Sequence, residues 1–223
     1  MTISPICRRT PVALAVAGAI GVVAWLGACQ WQAGWSALAV PVRVIPPHPA
    51  PHVGQAAPDF DLSSADGTRR VRLSSFRGQR PVALVFASLT CPYFRDEAQA
   101  LERLYQKYGD QVEFLMIYQR EAHPAEAAQV PENAADGLAI ISPKSLDDRC
   151  RTCQQAQGTL SLTMPAVVDQ LNDQTAYDYM TDPVRLFLVD TSGRIAFQTA
   201  QGPWSFRAKD LEQAILASLP SIR

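Results

Sequence analysis

Three cysteines carry the chemistry that this sequence is equipped to perform. Cys91 follows the short apolar run of residues 82–87 and directly precedes Pro92. A strand, a turn and then a helix that starts at Pro92 would place the sulfur at the positive end of the helix. Main-chain N–H groups and the helix dipole stabilise a thiolate at that position and lower its pKa. The order therefore predicts a reactive nucleophile at Cys91, rather than a buried and inert thiol.

The other two cysteines, Cys150 and Cys153, lie three residues apart in a predicted helix and share one of its faces. A thiolate that attacks peroxide oxygen, a disulfide sulfur or an aryl halogen becomes a sulfenic acid, mixed disulfide or sulfenyl halide. Turnover then needs a second thiol, and Phe94 occupies the second cysteine position of a CxxC motif that begins at Cys91. Cys150 and Cys153 are therefore candidate resolving residues, and the alternative of a local disulfide or no redox role stays open.

Polar residues on both sides of the predicted site are candidates for assisting Cys91. Thr90 either offers its hydroxyl to the thiolate or caps the helix. His123 could orient or protonate a leaving group with the help of Glu121, or could be a turn residue before Pro124.

Candidates for contacting a substrate follow Cys91 or lie in the later strands. Arg185 is a charged residue in an otherwise apolar strand, which indicates that it either faces the site or lies at a sheet edge. Met164 and Pro165 enter a predicted strand beside the site, and the isomer of their peptide bond stays open. The full set is Pro92, Tyr93, Phe94, Met164, Pro165 and Arg185.

The elements that must position these residues form an alternating α/β pattern. Helical periodicity runs from Pro92 to Tyr108, and residues 112–118 form a second apolar strand, so the two strands should be parallel. Cys91 and the turn at residues 119–124 then meet at the carboxyl edge of the sheet. The other predicted elements are strands at 54–62, 71–73 and 166–168, helices at 145–157, 173–180 and 209–219, a hairpin at 184–197, and an irregular insertion at 125–143.

Composition excludes several classes of protein. The 223 residues include 20 Lys and Arg against 21 Asp and Glu without a basic stripe, so no nucleic-acid partner is expected. Five cysteines are too few, in a chain of this length, for a small protein that is stabilised mainly by disulfides. A zinc site built from Cys150, Cys153 and His123 lacks a fourth ligand, and neither a metal nor another cofactor is predicted.

The N-terminal residues 1–40 are predicted to form a membrane-targeting segment. Arg8 and Arg9 precede eighteen uncharged residues, 11–28, which indicates an uncleaved signal anchor or a lipoprotein signal with Cys29 as the lipidated residue. Both alternatives attach the chain to the membrane and place the following domain on the periplasmic or extracytoplasmic side. Residues 41–53 contain five prolines and are predicted to be an extended linker, followed by a redoxin domain at 54–220.

Several segments resemble a known family. Residues 54–60, Asp66-Gly67 and residues 73–78 resemble the opening of peroxiredoxins, which belong to the thioredoxin superfamily. A more specific resemblance is to the iodothyronine deiodinases and their bacterial relatives. It is found at residues 88–94, 118–124 and 202–204. Cys91 stands where the animal enzymes have selenocysteine.

The resemblance implies a thioredoxin-like fold of the peroxiredoxin and deiodinase type, with a central mixed sheet flanked by helices and preceded by an N-terminal hydrophobic helix. It also implies a thiol oxidoreductase, a small-molecule electrophile as substrate and a thiol reductant as partner, and it favours Cys153 over Cys150 as the resolving residue. The alternative is a non-catalytic, membrane-tethered redoxin domain that serves as a thiol sensor or binding module. Oligomeric state, a homodimer included, stays open.

Overall fold

A seven-stranded mixed sheet organises the protein, and the computed structural model describes residues 50–219 of the chain. The strands follow the order β2-β1-β5-β4-β3-β6-β7 across the sheet. The pairs β3–β4 and β4–β5 are parallel, and the other neighbours are antiparallel. The strands are β1 Asp61–Ser64, β2 Arg70–Arg72, β3 Val82–Ala87, β4 Glu113–Tyr118, β5 Ala166–Val168, β6 Leu186–Val189 and β7 Ile195–Gln198.

In the part of the chain that the structure describes, five helices connect or cover these strands. They are α1 Pro92–Tyr108, α2 Pro131–Ala135, α3 Leu146–Thr159, α4 Gln174–Tyr179 and α5 Ala208–Ser218. Short 3-10 helices occupy Leu73–Phe76 and Pro203–Ser205. The helix α5 packs against α1, β6 and β7, while α3 packs against β5.

Each face of the sheet buries its own hydrophobic cluster, because successive side chains of a strand point to opposite faces. The face covered by α1, α3 and α5 holds Val85, Phe94, Leu211 and both Cys91 and Cys153. The opposite face holds mainly aromatic and aliphatic side chains, among them Phe60, Leu84, Phe86, Tyr179 and Phe187. The two buried cysteines therefore share one layer of the core.

The predicted α/β architecture, a central mixed sheet flanked by helices, is confirmed. The unit β3–α1–β4 has the expected parallel register, in which Val82 lies beside Glu113 and Ala87 beside Tyr118. The long helices lie within two residues of the predicted bounds. In α3, the Ser145 hydroxyl caps the helix by accepting the Asp148 N–H at 3.0 Å.

The prediction of a strand over residues 54–62 is wrong for residues 54–60. The strand β1 begins at Asp61, and the preceding segment pairs with the β6–β7 hairpin instead. Gly54 donates its N–H to the Ile195 carbonyl at 2.8 Å, and Ala57 donates to the Gly193 carbonyl at 3.0 Å. Pro58 then lacks the N–H that would continue a ladder, which separates the two segments.

The insertion at 125–143 contains one helix that was not predicted, α2. Pro131 occupies its first turn, a position where the missing N–H costs nothing. The helix has only five residues, too few for the hydrophobic periodicity from which a helix can be predicted.

The predicted membrane segment at 1–40, its hydrophobic helix, the candidate lipidation residue Cys29 and most of the linker at 41–53 lie outside the described residues. Within residues 50–219, no helix is both long and apolar enough to cross a membrane.

Candidate functional site

Cys91 lies at the start of α1, directly after the turn that follows β3. Cys91 is the N-cap residue of α1, with an extended backbone, and Pro92 starts the helix. The Cys91 N–H donates to the Ser88 carbonyl at 3.1 Å, which closes the turn between the strand and the helix. The predicted location of the thiol at the positive end of the helix is therefore confirmed.

The predicted lowering of the Cys91 pKa is wrong for this conformation. Only 1% of Cys91 is exposed to solvent. Burial raises the pKa of the thiol, and this outweighs the main-chain N–H groups of Phe94 and Tyr93 and the charge of Arg95, which act in the opposite direction. The negative charge of Glu121 raises the Cys91 pKa further. Burial removes the solvation of a thiolate, a cost that the sequence order alone does not reveal.

This burial predicts the pH dependence of thiol modification. Because the pKa of Cys91 lies above its ordinary value, its thiolate fraction at neutral pH is smaller than that of a free cysteine. Alkylation of Cys91 by iodoacetamide should rise about tenfold per pH unit and continue to rise beyond the ordinary thiol pKa of about 8.5. Quantifying the Cys91 peptide by mass spectrometry, with free glutathione as the control, measures this. A rate that levels off below pH 8 contradicts the prediction.

Glu121 ties the Cys91 turn to the end of β4. Its Oε2 accepts the Thr90 N–H at 2.9 Å, the Thr90 hydroxyl at 2.6 Å and the Ser88 hydroxyl at 3.1 Å. Its Oε1 accepts the hydroxyl of Tyr118. All four partners are donors, the pattern that an ionised carboxylate satisfies. The carboxylate, which is almost fully buried, thus fixes the backbone directly before the thiol.

The hydroxyl groups in this network also accept hydrogen bonds from the main chain. Leu89 donates its N–H to the Tyr118 hydroxyl at 3.2 Å, and Ala122 donates to the Ser88 hydroxyl at 2.9 Å. Burial and the adjacent Glu121 charge raise the pKa of Tyr118 well above its ordinary value. Tyr118 therefore acts as a neutral hydroxyl that links the two turns.

His123 joins the same network through its backbone. Its N–H donates to the Thr90 hydroxyl at 3.0 Å, so Thr90 contacts both candidate acid–base residues, Glu121 and His123. The ring Nδ1 lies 3.3 Å from the Ala128 carbonyl oxygen. Because a carbonyl oxygen only accepts, this contact is a hydrogen bond in the tautomer that carries its proton on Nδ1.

Comparison with known proteins gives this arrangement its context. The iodothyronine deiodinase family model matches residues 45–217. The chain belongs to the iodothyronine deiodinase family. Thyroxine 5-deiodinases of Gallus gallus and Ovis aries are each 31% identical to it, over 162 and 164 residues, which cover 72% of this chain and 60% and 53% of those relatives. The chain thus matches little more than half the length of these relatives.

Solved structures place this deiodinase-family chain in the thioredoxin fold. The thioredoxin domain of a thiol-disulfide oxidoreductase from Bacteroides vulgatus superposes with a TM-score of 0.51 at 17% identity, covering 73% of this chain and 96% of that domain. A secreted disulfide oxidoreductase of Mycobacterium tuberculosis superposes with a TM-score of 0.51 at 15% identity, covering 71% and 95%. At this identity the likeness concerns the fold alone.

The two other described cysteines of this deiodinase-family member are free thiols on α3. Cys153 is fully buried in the cluster that contains Cys91, and Cys150 is half-buried one turn earlier. Burial, the neighbouring Cys150 and the Glu121 charge raise the pKa of Cys153. The Glu121 charge also raises the pKa of Cys91, and both cysteines belong to the same buried cluster. Within residues 50–219, no cluster of three His, Cys, Asp or Glu side chains is arranged for a metal ion.

The candidate substrate residues that follow Cys91 differ in their surroundings. Tyr93 is 38% exposed, and its ring meets that of Trp204, which is 79% exposed, edge to face at 6.3 Å. Phe94 is fully buried against Phe206. Of the residues directly after the thiol, Tyr93 is therefore placed to contact a bound molecule, whereas Phe94 contributes to the core.

The strand residues proposed to contact substrate are held by internal bonds. Met164 is buried and donates its N–H to Glu102 at 3.2 Å, and its bond to Pro165 is trans. Arg185 is buried with its guanidinium bonded to main-chain carbonyls, including that of Thr199. Both alternatives predicted for Arg185, a sheet edge and a side chain facing the site, are wrong. The strand β6 that follows it pairs with β3 on one side and β7 on the other. The side chain lies over Phe187, on the face opposite Cys91.

Three members of the site were not among the predicted site residues: Ser88, Tyr118 and Asn133. Ser88 and Tyr118 belong to the segments that resemble the family. Each carries a hydroxyl beside a predicted turn, and this could have identified them as candidates. The Asn133 side chain donates to the Thr90 carbonyl at 3.1 Å and accepts from Arg95 at 2.8 Å. Its contact depends on how α2 folds back onto α1, which no local pattern encodes.

Proposed function

We propose that this protein is a thiol-dependent oxidoreductase in which Cys91 attacks an electrophilic atom of a small molecule. The observation that carries the proposal is the hydrogen-bonded Glu121 network, which fixes a free thiol at the start of α1 in a deiodinase-family chain. Rigid positioning of a nucleophile supplies a large part of the acceleration that enzymes achieve.

The family favours a halogen on an aromatic ring as the attacked atom. In that reaction the thiolate bonds to the halogen, the ring carbon takes a proton and the products are the dehalogenated ring and a sulfenyl halide at Cys91. In this proposal the His123 imidazole supplies the proton, and the bond from its main-chain N–H to the Thr90 hydroxyl, which ties residue 123 to the turn before Cys91, supports that role. Cys153 would then displace halide and form a disulfide with Cys91.

The experiment offers the protein three electrophiles separately: thyroxine, hydrogen peroxide and oxidised glutathione. Dithiothreitol serves as the reductant. The readout is iodide release with thyroxine and the formation of oxidised dithiothreitol above the rate without protein with the other two electrophiles. We expect turnover with at least one electrophile and an adduct or disulfide at Cys91 in the mass spectrum. Turnover without any modification of Cys91 would overturn the proposal.

A second candidate function is supported by the burial of the thiol. A Cys91 that is 1% exposed and has a raised pKa also suits a non-catalytic redoxin domain that senses thiols or binds a partner. The same experiment separates the two functions. A sensor reacts once per molecule and shows no turnover with excess reductant, whereas an enzyme turns over repeatedly.

We also propose that residues 1–40 attach the protein to the membrane with the redoxin domain at 54–220 on the extracytoplasmic side. The arginine pair before an uncharged segment supports this orientation. We expect the protein in the membrane fraction and the domain accessible to protease from the extracytoplasmic side. Palmitate labelling that disappears in Cys29→Ala would identify a lipoprotein, and unlabelled protein in the membrane fraction would identify a signal anchor. A domain protected from external protease contradicts the orientation.

A further inference from the structure

The described thiols differ in how far they lie from solvent. Cys91 is 1% exposed and Cys153 is fully buried in the same cluster. A disulfide between them would form inside the core. A thiol reductant must bring its own sulfur into line with one of the bonded sulfurs, so a buried disulfide is reduced slowly by a large reductant.

Cys150 is the described cysteine with access to the surface. It is half-buried on α3, one helical turn before Cys153. The pKa of Cys150 is raised by partial burial and by the charges of Asp147 and Asp66, while Arg151 lowers it. Since Cys150 and Cys153 are three residues apart on α3, their side chains lie on the same face of the helix.

We propose that Cys150 carries the disulfide from the buried site to the surface, where a protein dithiol reduces it. This inference rests on the proposed function, because it starts from a Cys91 that has been oxidised. It assigns separate roles to two thiols that the spacing alone cannot distinguish: Cys153 resolves Cys91, and Cys150 then receives the disulfide.

The steps balance when hydrogen peroxide is the oxidant. The Cys91 thiol takes one oxygen atom to give a sulfenic acid and water, and the Cys153 thiol displaces a second water to form the Cys91–Cys153 disulfide. The Cys150 thiolate attacks the Cys153 sulfur, which releases Cys91 as a thiolate and leaves a Cys150–Cys153 disulfide. An external dithiol reduces that bond and is itself converted to a disulfide, so one peroxide consumes one dithiol.

Helix geometry suits a disulfide that is made and broken in each cycle. Residues three apart on a helix have Cβ atoms about 5–6 Å apart, whereas a relaxed disulfide needs about 3.5–4.5 Å. Closing this gap requires a local adjustment of α3 and leaves the bond strained. The same strain that disfavours this bond in exchange with Cys91–Cys153 makes it easy to reduce, so the external dithiol removes it as it forms and draws the exchange forward.

The test compares the wild-type full-length protein with Cys150→Ser and Cys153→Ser. Each is treated with hydrogen peroxide, its disulfides are mapped by mass spectrometry, and reduction by reduced thioredoxin is followed in time. We expect the wild type to contain a Cys150–Cys153 disulfide in exchange with Cys91–Cys153. We expect Cys150→Ser to contain only Cys91–Cys153, which thioredoxin reduces at least tenfold more slowly than the wild-type disulfides. Gln155→Ser, an exposed position on the same helix, should behave as the wild type.

The relay is overturned if the wild type holds only Cys91–Cys153, or if thioredoxin reduces Cys150→Ser as fast as the wild type. Either result leaves the proposed function intact, because Cys91 has still reacted. Cys153→Ser should stop at the sulfenic acid of Cys91. A Cys91 that stays unmodified in all the variants overturns the relay and the peroxide arm of the proposed function together.

Discussion

Replacing Cys91 with serine is expected to abolish turnover with every electrophile, by about a thousandfold or more. A serine hydroxyl is not ionised near neutral pH, and no neighbour of residue 91 in the network is a base aimed at it: Glu121 accepts from Thr90, Ser88 and Tyr118 instead. Steady-state rates with excess dithiothreitol measure the loss.

The matched control is Cys150→Ser, in which an equally conservative change falls on a half-buried thiol of α3. With dithiothreitol, a reductant small enough to reach a buried disulfide, this variant should retain far more activity than Cys91→Ser. Cys150→Ser should keep the wild-type unfolding transition within a few degrees, because residue 150 is half-buried. Cys91→Ser buries a hydroxyl and should lose somewhat more stability while still folding, which circular dichroism checks. Full activity in Cys91→Ser would refute the assignment of the nucleophile.

Removing the Glu121 carboxylate should have the largest effect on stability among single changes at this site. In Glu121→Ala, four donors lose their shared acceptor: the N–H and hydroxyl of Thr90 and the hydroxyls of Ser88 and Tyr118. A buried donor left without a partner costs about 1–3 kcal/mol, so we expect the free energy of unfolding to fall by at least about 3 kcal/mol. Urea denaturation followed by circular dichroism measures this.

Glu121→Gln provides the informative comparison, because it keeps the shape and one acceptor oxygen but turns an NH₂ group toward the donors. Its loss of stability should fall between those of Glu121→Ala and the wild type. Glu132→Gln, on exposed α2, should change the free energy of unfolding by less than about 0.5 kcal/mol. Equal stability of Glu121→Ala and the wild type would show that the network does not hold the turn.

Local patterns were sufficient to predict most of the fold. The apolar run at β3, the helical spacing of α1 and the β6–β7 hairpin each follow from the order of a few neighbouring residues. The wrong start of β1 has a different origin, since residues 54–57 pair with Gly193 and Ile195, far away in the sequence. A local pattern cannot predict this pairing, because it depends on which strands lie at the edge of the folded sheet.

The chemistry of the site was predictable in its location but not in its electrostatics. The order of strand, Cys91 and helix predicts the helix dipole and the free N–H groups correctly. It cannot predict that the core closes over the sulfur, which reverses the direction of the pKa shift. Likewise, Glu121 was predicted as an aid to His123, whereas its oxygens face Thr90, Ser88 and Tyr118, because the two turns approach each other only in the folded sheet.

The side chains that connect the turn before Cys91 to the turn after β4 also accept hydrogen bonds from the main-chain N–H groups of both turns. The amide hydrogens of Leu89, Thr90, Ala122 and His123 lie in loops, yet each is donated to a side-chain oxygen of this buried network. Loop amides ordinarily exchange with solvent deuterium quickly, whereas these four can exchange only when the turns separate. Deuterium uptake at these positions therefore reports how often the protein opens the path to its nucleophile.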